Sequence, residues 1–265
     1  MRVFAISDIH VDYDVNARWV ESLSRADYQD DVLVLAGDVS DSVQRLGHCI
    51  ESFARRFRKV FFVPGNHDLW VIRDPDVADS LRKFEIVNAT ARNAGAITAA
   101  EVVESVSFVP LLGWYDLSFG PLSQELLQIW MDFRACRWPQ GWSVYDVASH
   151  FMAMNKPRAV SRSDVTISFS HFLPRIDLMP GFIGTSHRAI YPLLGSARLD
   201  QQLRECDPDI HVYGHSHVNR RVAIDGVLYV NNAFAYPHEE HIAAKALSCI
   251  HPAERSASAR SVSTR

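Results

Sequence analysis

Short apolar runs alternate with helix-like segments in the first 65 residues of this chain. Residues 3–6, 31–36 and 60–63 have the length and the β-branched content of buried strands. Between them, segments 17–23 and 40–58 have helical character, and Ser40 and Asp41 are both residue types that begin helices. A strand–helix–strand–helix–strand order predicts parallel pairing with crossover helices over the sheet. We therefore expect an α/β fold.

The remaining predicted elements continue this pattern into a second sheet. They are, in chain order, a helix (76–88), strands of the second sheet (97–109), a strand (165–169), a helix (196–205), a strand (210–213) and a hairpin around Asp225-Gly226 (221–230). The 265 residues are enough for one large domain, which we place at 1–250. Residues 251–265 are rich in Ser and Arg and lack apolar anchors, so we expect a disordered tail.

Residues 113–160 differ in composition from the rest of the chain, because they hold four of its six tryptophans. Their helix-like segments, 122–135 and 143–155, lie between two strand-rich halves, which indicates a mostly helical cap insertion. Aromatic residues in such an insertion form a hydrophobic core more often than a base-stacking platform, so a core is the expected role here. The sequence leaves open whether Arg134 and Arg137 bind a second phosphate or are simply solvated.

Charge and cysteine content limit the possible partners and the compartment. The net charge of −4 supplies no overall basic field, which argues against nucleic acid as a partner. Four cysteines without a CxxC pair are typical of a reducing compartment. The apolar part of the N-terminus is too short for a signal peptide, and no apolar run is long enough to span a bilayer. These observations predict a cytoplasmic location.

Polar side chains of metal-binding type follow the predicted strands at the point where each strand ends. They are Asp8, His10, Asp38, Asn66, His67, His171, His215 and His217. In an extended segment residues i and i+2 point the same way, so we expect Asp8 with His10, and His215 with His217, to face one point. Carboxylate, imidazole and amide oxygen together suit Mn, Fe, Zn or Co. The ligands are too many for one ion, and two ions bridged by a carboxylate fit them better.

Each of these residues has a simpler interpretation when it is taken alone. A single aspartate at a strand end is usually a turn or cap residue, and His171 alone is equally a buried core histidine. It is the occurrence of all of them at strand ends, in one chain, that favours a metal site.

The ordered series Asp8-Ile9-His10, Gly37-Asp38, Gly65-Asn66-His67-Asp68, His171 and Gly214-His215-Ser216-His217 resembles the motifs of the calcineurin-like metallophosphoesterase superfamily. The resemblance spans residues 8–217 and covers the insertion least. It implies a four-layer α/β/β/α sandwich of two mixed sheets, with the metals at the carboxyl edge of the strands.

The resemblance also implies a role for each residue of the series. Asp8, His10, Asp38 and His217 would hold a first metal, and Asp38, Asn66, His171 and His215 a second, with Asp38 as the bridge. His67 would stabilise charge on the phosphoryl group or protonate the leaving oxygen. Asp41 matches an aspartate that orients this histidine in phosphoprotein phosphatases, although it is equally a helix N-cap. Those phosphatases continue with Arg-Gly where this chain has Ser42-Val43, so a phosphate-binding arginine is missing and protein-phosphatase activity is in doubt.

The function that we expect is hydrolysis of a phosphomonoester or a small phosphodiester by a hydroxide that bridges two metal ions. The partner would be a small phosphorylated substrate. Two alternatives remain open at this point, a metal-dependent nuclease and a non-catalytic scaffold that binds metal.

Overall fold

The computed structural model describes residues 1–155 and 163–253. In chain order the strands are β1 (Val3–Ile6), β2 (Val32–Ala36), β3 (Lys59–Val63), β4 (Ala96–Ile97), β5 (Glu101–Val103), β6 (Val106–Pro110), β7 (Val165–Phe169), β8 (Ile210–Tyr213), β9 (Arg220–Ile224), β10 (Val227–Asn231) and β11 (Ser248–His251). The α-helices are α1 (Asp14–Ser22), α2 (Val43–Ala54), α3 (Ser80–Asn93), α4 (Gln124–Ile129), α5 (Asp132–Ala135), α6 (Val144–Met154) and α7 (Ala197–Glu205).

These strands form two mixed sheets, as predicted. The first has the order β11-β1-β2-β3-β4 and is parallel except for β11, which pairs antiparallel with β1. The second has the order β5-β6-β7-β8-β10-β9, with parallel pairing from β6 to β10 and antiparallel strands at both edges. The parallel strands carry their carboxyl ends to a common edge within each sheet.

The two sheets pack face to face through alternate residues of their strands. Val34 and Phe61 of the first sheet lie in one buried cluster with Phe108, Phe169 and Val212 of the second. The rings of Phe61 and Phe108 stack across the interface at 4.3 Å. Because both faces of these strands are covered, their sequences are continuous apolar runs rather than alternating ones.

Helices cover the outer face of each sheet. Leu33 and Phe62 of the first sheet cluster with Ile50 and Phe53 of α2. Tyr213 of the second sheet lies in a cluster with residues of α6 and α7, among them Phe151, Leu199 and Leu203. The four layers α/β/β/α are thus confirmed, and α6 of the insertion forms part of the fourth layer.

The described part of the insertion, residues 113–155, contains the helices α4, α5 and α6 and no strand, and its tryptophans belong to a hydrophobic core. Trp114 is fully buried, and Trp130, Trp138 and Trp142 pack partly buried against the same cluster that covers the second sheet. This packing favours the hydrophobic-core interpretation over a base-stacking platform.

Several boundary predictions were wrong in detail. Helix α3 spans Ser80–Asn93 rather than 76–88. Residues 96–97 form β4, which pairs with β3 in the first sheet and not in the second. Helix α2 ends at Ala54 rather than near residue 58, and Ser42, whose side chain accepts a hydrogen bond from the backbone N–H of Arg45, is its N-cap. His251 lies in β11 and not in a tail, because β1 offers that segment an unpaired edge. Residues 254–265, the rest of the expected tail, lie outside the described residues.

Among residues 1–155 and 163–253, no helix combines the length and the apolar content that crossing a membrane requires.

Candidate metal centre

Loops that follow β1, β2, β3, β7 and β8 meet at one edge of the sandwich. They bring together the seven residues that the sequence analysis predicts as metal ligands, and none of these is more than 9% exposed: Asp8, His10, Asp38, Asn66, His171, His215 and His217. Side chains up to two hundred positions apart in the chain therefore share one buried site.

Left-handed backbone, rather than strand alternation, aims these side chains. The φ angle is 52° at Asp8, 43° at His10, 55° at Asp38, 68° at His215 and 54° at His217. The shared direction of these pairs was predicted from extended segments, and that reason was wrong. A non-glycine residue in this region costs about 1–3 kcal/mol, and such strain is concentrated at functional sites.

Asp8, His10 and His217 form the first group of converging ligand atoms. The Nε2 atoms of His10 and His217 lie 3.2 Å apart, and Nε2 of His217 lies 3.3 Å from Oδ1 of Asp8. Oδ2 of Asp38 lies 4.0 Å from Nε2 of His10, on the side of the second group. These four residues could hold one ion.

The second group consists of Asp38, Asn66, His171 and His215. Nε2 of His171 lies 3.0 Å from Oδ1 of Asn66, 3.2 Å from Nδ1 of His215 and 3.5 Å from Oδ1 of Asp38. One Asp38 oxygen faces this group and the other faces the first, which is the arrangement of a bridging carboxylate. These four residues could hold a second ion.

Hydrogen bonds on the outer side of three histidines determine which nitrogen faces inward. Nδ1 of His171 lies 2.9 Å from the carbonyl oxygen of Ala36, and Nε2 of His215 lies 2.9 Å from that of Leu193. A carbonyl oxygen only accepts, so these nitrogens carry the proton and the inner nitrogens present lone pairs. Nδ1 of His217 likewise lies 2.7 Å from Oε2 of Glu239. Lone pairs that face one another and carboxylate oxygens at about 3 Å suit a cation between them, so the donor set fits a metal.

The ionisation of His171 points the same way, whereas that of His217 does not: against the opposing effect of burial, the carboxylates of Asp8 and Glu239 raise the pKa of His217 to about 9, and a cation beside its Nε2 would displace that proton. Burial lowers the pKa of His171 to about 3, which keeps its imidazole neutral, the form that ligates metals. Burial, together with the nearby carboxylates of Asp8 and Asp68, raises the pKa of Asp38 well above its usual range. A cation at this place would oppose that effect and keep Asp38 ionised.

Asp68 and Gly65 join the loops after β2 and β3. The carboxylate of Asp68 accepts hydrogen bonds from four backbone N–H groups, with N···O distances of 2.8–3.0 Å. They belong to Asp38, Val39, Ser40 and Gly65. Gly65 is required by space, because a Cβ atom there would lie 2.2 Å from Oδ1 of Asp38. The Gly-Asn-His-Asp motif thus includes two residues that shape the site without being candidate ligands.

His67 lies at the mouth of the site. Its ring stacks on Trp70 at 3.7 Å, and its Nε2 is 3.3 Å from the hydroxyl of Tyr236 and 3.9 Å from Oδ2 of Asp38. Burial and the imidazole of His10 lower the pKa of His67 well below its usual value. The ring faces a cavity of about 320 Å³ lined by His10, Asp12, Tyr13, Asp41, His67, Trp70, Arg73 and Tyr236.

Asp41 does not contact His67. Its Oδ2 lies 3.0 Å from Nε of Arg73, and the same guanidinium contacts Asp12 at 3.3 Å. The structure therefore contradicts the N-cap interpretation of Asp41, because Ser42 caps α2. Among the described residues the carboxylate of Asp41 pairs with Arg73 and makes no hydrogen bond with His67, so its orienting role stays a prediction. Burial and the neighbouring Asp12 raise the pKa of Asp41 to about 6. The guanidinium at this mouth comes from Arg73, which is distant in sequence from the Ser42-Val43 position where the phosphatase motif has its arginine, although it contacts the neighbouring Asp41.

Several residues of the site carry no local sequence signal. Glu239 contacts His217, Tyr236 contacts His67, Trp70 stacks on His67, and Asp132 of the insertion accepts a hydrogen bond from Asn66 at 2.9 Å. None of them stands at a strand end or in a repeated pattern, so tertiary contacts alone identify them.

Arg134 and Arg137 of the insertion make local contacts. The guanidinium of Arg134 donates to the carbonyl oxygen of Gln128, and that of Arg137 donates to the carbonyl oxygen of Ala78. These contacts favour a structural role for both over the binding of a second phosphate.

Comparisons with known proteins agree with this geometry. A family model described as calcineurin-like phosphoesterase matches residues 1–219. A curated relative from Mycobacterium tuberculosis, [acyl-carrier-protein] phosphodiesterase PptH, is 25% identical over 89% of this chain and 78% of its own length. The crystal structure described as phosphopantetheinyl hydrolase (PptH) from the same organism superposes with a TM-score of 0.75 at 25% identity, over 90% of each chain.

Proposed function

The chain belongs to the calcineurin-like phosphoesterase family, and we propose that it hydrolyses the phosphodiester that joins a phosphopantetheinyl group to an acyl carrier protein. The reaction class, hydrolysis of a phosphoric ester with divalent metal, follows from the family. The substrate is proposed from the names of the mycobacterial relative.

The observation that carries the proposal is the set of candidate ligand atoms that face inward. Three histidines have hydrogen-bond partners for their outer nitrogens, and their inner nitrogens face other candidate ligand atoms. Nε2 of His171 lies 3.0 Å from Oδ1 of Asn66 and 3.2 Å from Nδ1 of His215, and Nε2 of His217 lies 3.3 Å from Oδ1 of Asp8. We propose that Asp8, His10, Asp38 and His217 hold one ion and that Asp38, Asn66, His171 and His215 hold another. Nitrogen and oxygen ligands in this mixture suit Mn, Fe, Zn or Co.

Two bound ions would neutralise the charge on the phosphoryl oxygens and would lower the pKa of a water molecule bound to them. The residues of the chain contribute orientation around it. Asp38, which lies between the two groups, sets the spacing of the ligand atoms. The outer hydrogen bonds to Ala36, Leu193 and Glu239 hold the imidazole planes in ligating orientation.

We propose that His67 acts on the leaving group. Stacking on Trp70 holds the plane of its ring, and the hydroxyl of Tyr236 lies 3.3 Å from its Nε2. The nearby phosphate of a bound ester would raise the pKa of His67 by charge attraction. The imidazole can then donate a hydrogen bond or a proton to the departing oxygen.

The cavity beside His67 supports a small ester group rather than a nucleic acid. Its volume is about 320 Å³, and its lining includes the rings of Tyr13 and Tyr236. The carboxylates of Asp12 and Asp41 lie there beside a single guanidinium, that of Arg73. Two carboxylates at the mouth oppose the approach of a polyanion. This disfavours the nuclease alternative.

The test uses the purified protein after reconstitution with Mn²⁺. We expect loss of the phosphopantetheinyl mass from a holo acyl carrier protein, and turnover of bis-p-nitrophenyl phosphate above that of p-nitrophenyl phosphate. Hydrolysis of the monoester alone would contradict the proposed substrate but leave the phosphoesterase assignment. Metal-loaded protein that hydrolyses no ester would contradict the function and favour the scaffold alternative.

We also propose a cytoplasmic location. The four cysteines, Cys49, Cys136, Cys206 and Cys249, are all free thiols, and free thiols persist in a reducing compartment. Localisation of the full chain fused to a fluorescent reporter would test this.

A further inference from the structure

Asp132 is a buried carboxylate that the helical insertion places beside the metal centre. It is 2% exposed and lies at the start of α5. Its Oδ1 accepts hydrogen bonds from Nδ2 of Asn66 at 2.9 Å and from Nε1 of Trp70 at 2.7 Å, and its Oδ2 accepts one from Nε1 of Trp130 at 2.8 Å. All three donors are neutral side-chain N–H groups, so the carboxylate is held by hydrogen bonds rather than by a countercharge.

The contact with Asn66 determines which end of its amide faces the second group. An ionised carboxylate only accepts hydrogen bonds, so the amide must turn its NH₂ toward Asp132. Its Oδ1 then points the other way, to within 3.0 Å of Nε2 of His171. Only the oxygen of an amide ligates a cation, so a reversed amide would lose the ligand.

The contact with Trp70 connects the same oxygen to His67. The indole N–H of Trp70 is anchored on Oδ1 of Asp132, and its ring lies 3.7 Å from the ring of His67. One carboxylate oxygen thus contacts both a candidate ligand and the side chain on which the proposed acid rests.

Backbone hydrogen bonds hold Asp132 in this position. The N–H of Val71 donates to the carbonyl oxygen of Ala135, and that of Ser80 donates to the carbonyl oxygen of Arg137, both at 2.8 Å. The segment around α5 is therefore fastened to the chain that follows His67, and it forms one wall of the site.

We propose that Asp132 is a positioning residue, which holds Asn66 in ligating orientation and Trp70 beneath His67. The inference rests on the proposed function, because it assumes that Asn66 ligates an ion. It gives the insertion a role in the metal affinity of the second group.

The test is titration of Mn²⁺ alone into metal-free protein, by calorimetry. In Asp132→Ala we expect one of two ions to bind about 10–100-fold more weakly, because position 132 then has no oxygen to accept from Nδ2 of Asn66, with the other ion unchanged. Asp146→Ala is the matched control. It removes an exposed carboxylate of the same insertion, which caps α6, and it should bind both ions like the wild type.

A charge-swapped double variant separates orientation from general disruption. In Asn66→Asp/Asp132→Asn, the amide at 132 can donate to the carboxylate at 66, whose other oxygen faces the second group. We expect the weakened ion to regain most of its affinity. The indole of Trp70 loses its acceptor in this variant, so kcat at saturating Mn²⁺ should stay below wild type with KM little changed.

Several outcomes would overturn the inference. Wild-type affinity for both ions in Asp132→Ala would do so, as would a swapped variant that binds no better than the single one. A wild-type kcat in the swapped variant would contradict the proposal that Asp132 acts on His67 through Trp70. A wild-type protein that binds no Mn²⁺ would instead overturn the proposed function, and this inference with it.

Discussion

Replacing Gly65 by alanine should remove metal binding by displacing Asp38. A Cβ atom at position 65 would lie 2.2 Å from Oδ1 of Asp38 and 2.7 Å from its backbone nitrogen, whereas ordinary contacts begin at 3.4 Å. The carboxylate would have to retreat by about 1.2 Å, and ligand distances tolerate only about 0.2 Å. Because Asp38 faces both groups, both ions should be affected.

The same substitution should also lower stability. Forcing one extra methyl group into a packed site costs about 1–3 kcal/mol, and more where backbone is the neighbour. In a chain of this size each kcal/mol corresponds to roughly 2–4 °C in Tm. Mn²⁺ titration and thermal unfolding of the metal-free protein would measure the two effects separately.

Gly181→Ala is the matched control, because a Cβ atom there would have no neighbour within 4 Å. It should keep the wild-type Tm and both ions. If Gly65→Ala also bound Mn²⁺ with wild-type affinity, the close approach of Gly65 and the bridging place of Asp38 would both be wrong.

Three further predictions concern single side chains. His67→Ala should keep both Mn²⁺ ions while kcat falls about 10²–10⁴-fold; loss of an ion in the titration would show that His67 is a ligand. Glu239→Ala should weaken Mn²⁺ binding about 10–100-fold, because the outer nitrogen of His217 loses its partner, and unchanged affinity would refute this. Burial lowers the pKa of His211 to about 3, so its contribution to stability is present above pH 6.5 and is lost as the pH falls from 6.5 toward 3, by about 1.4 kcal/mol per pH unit. Denaturant unfolding across this range should show a shallower pH slope in His211→Gln, and an equal slope would refute the buried neutral imidazole.

The fold class could be predicted from sequence because its signals are local. Apolar runs such as 32–36 and 60–63 are short, continuous and bounded by polar turns, and a strand covered on both faces requires that composition. The placement of residues 96–97 and of His251 could not be predicted. These segments are short, and their partner strands, rather than their own residues, decide which sheet they join.

The candidate metal ligands were identifiable because parallel strands bring their carboxyl ends to one edge, so motifs at strand ends indicate a shared site. The supporting residues were not identifiable in this way. Glu239, Tyr236 and Asp132 occur in loops and a short helix whose sequences carry no periodic signal. Their contacts arise only when the chain has folded.

The sequence by itself therefore determined the order of strands and helices and the set of side chains that could meet a metal. Tertiary structure alone decided how those side chains are aimed. Asp8 and His10 converge through left-handed backbone angles that neighbouring loops impose, and Asn66 presents its oxygen because a carboxylate 66 positions away accepts its NH₂. Identity and spacing are properties of the chain, whereas orientation depends on contacts between segments that are distant in sequence.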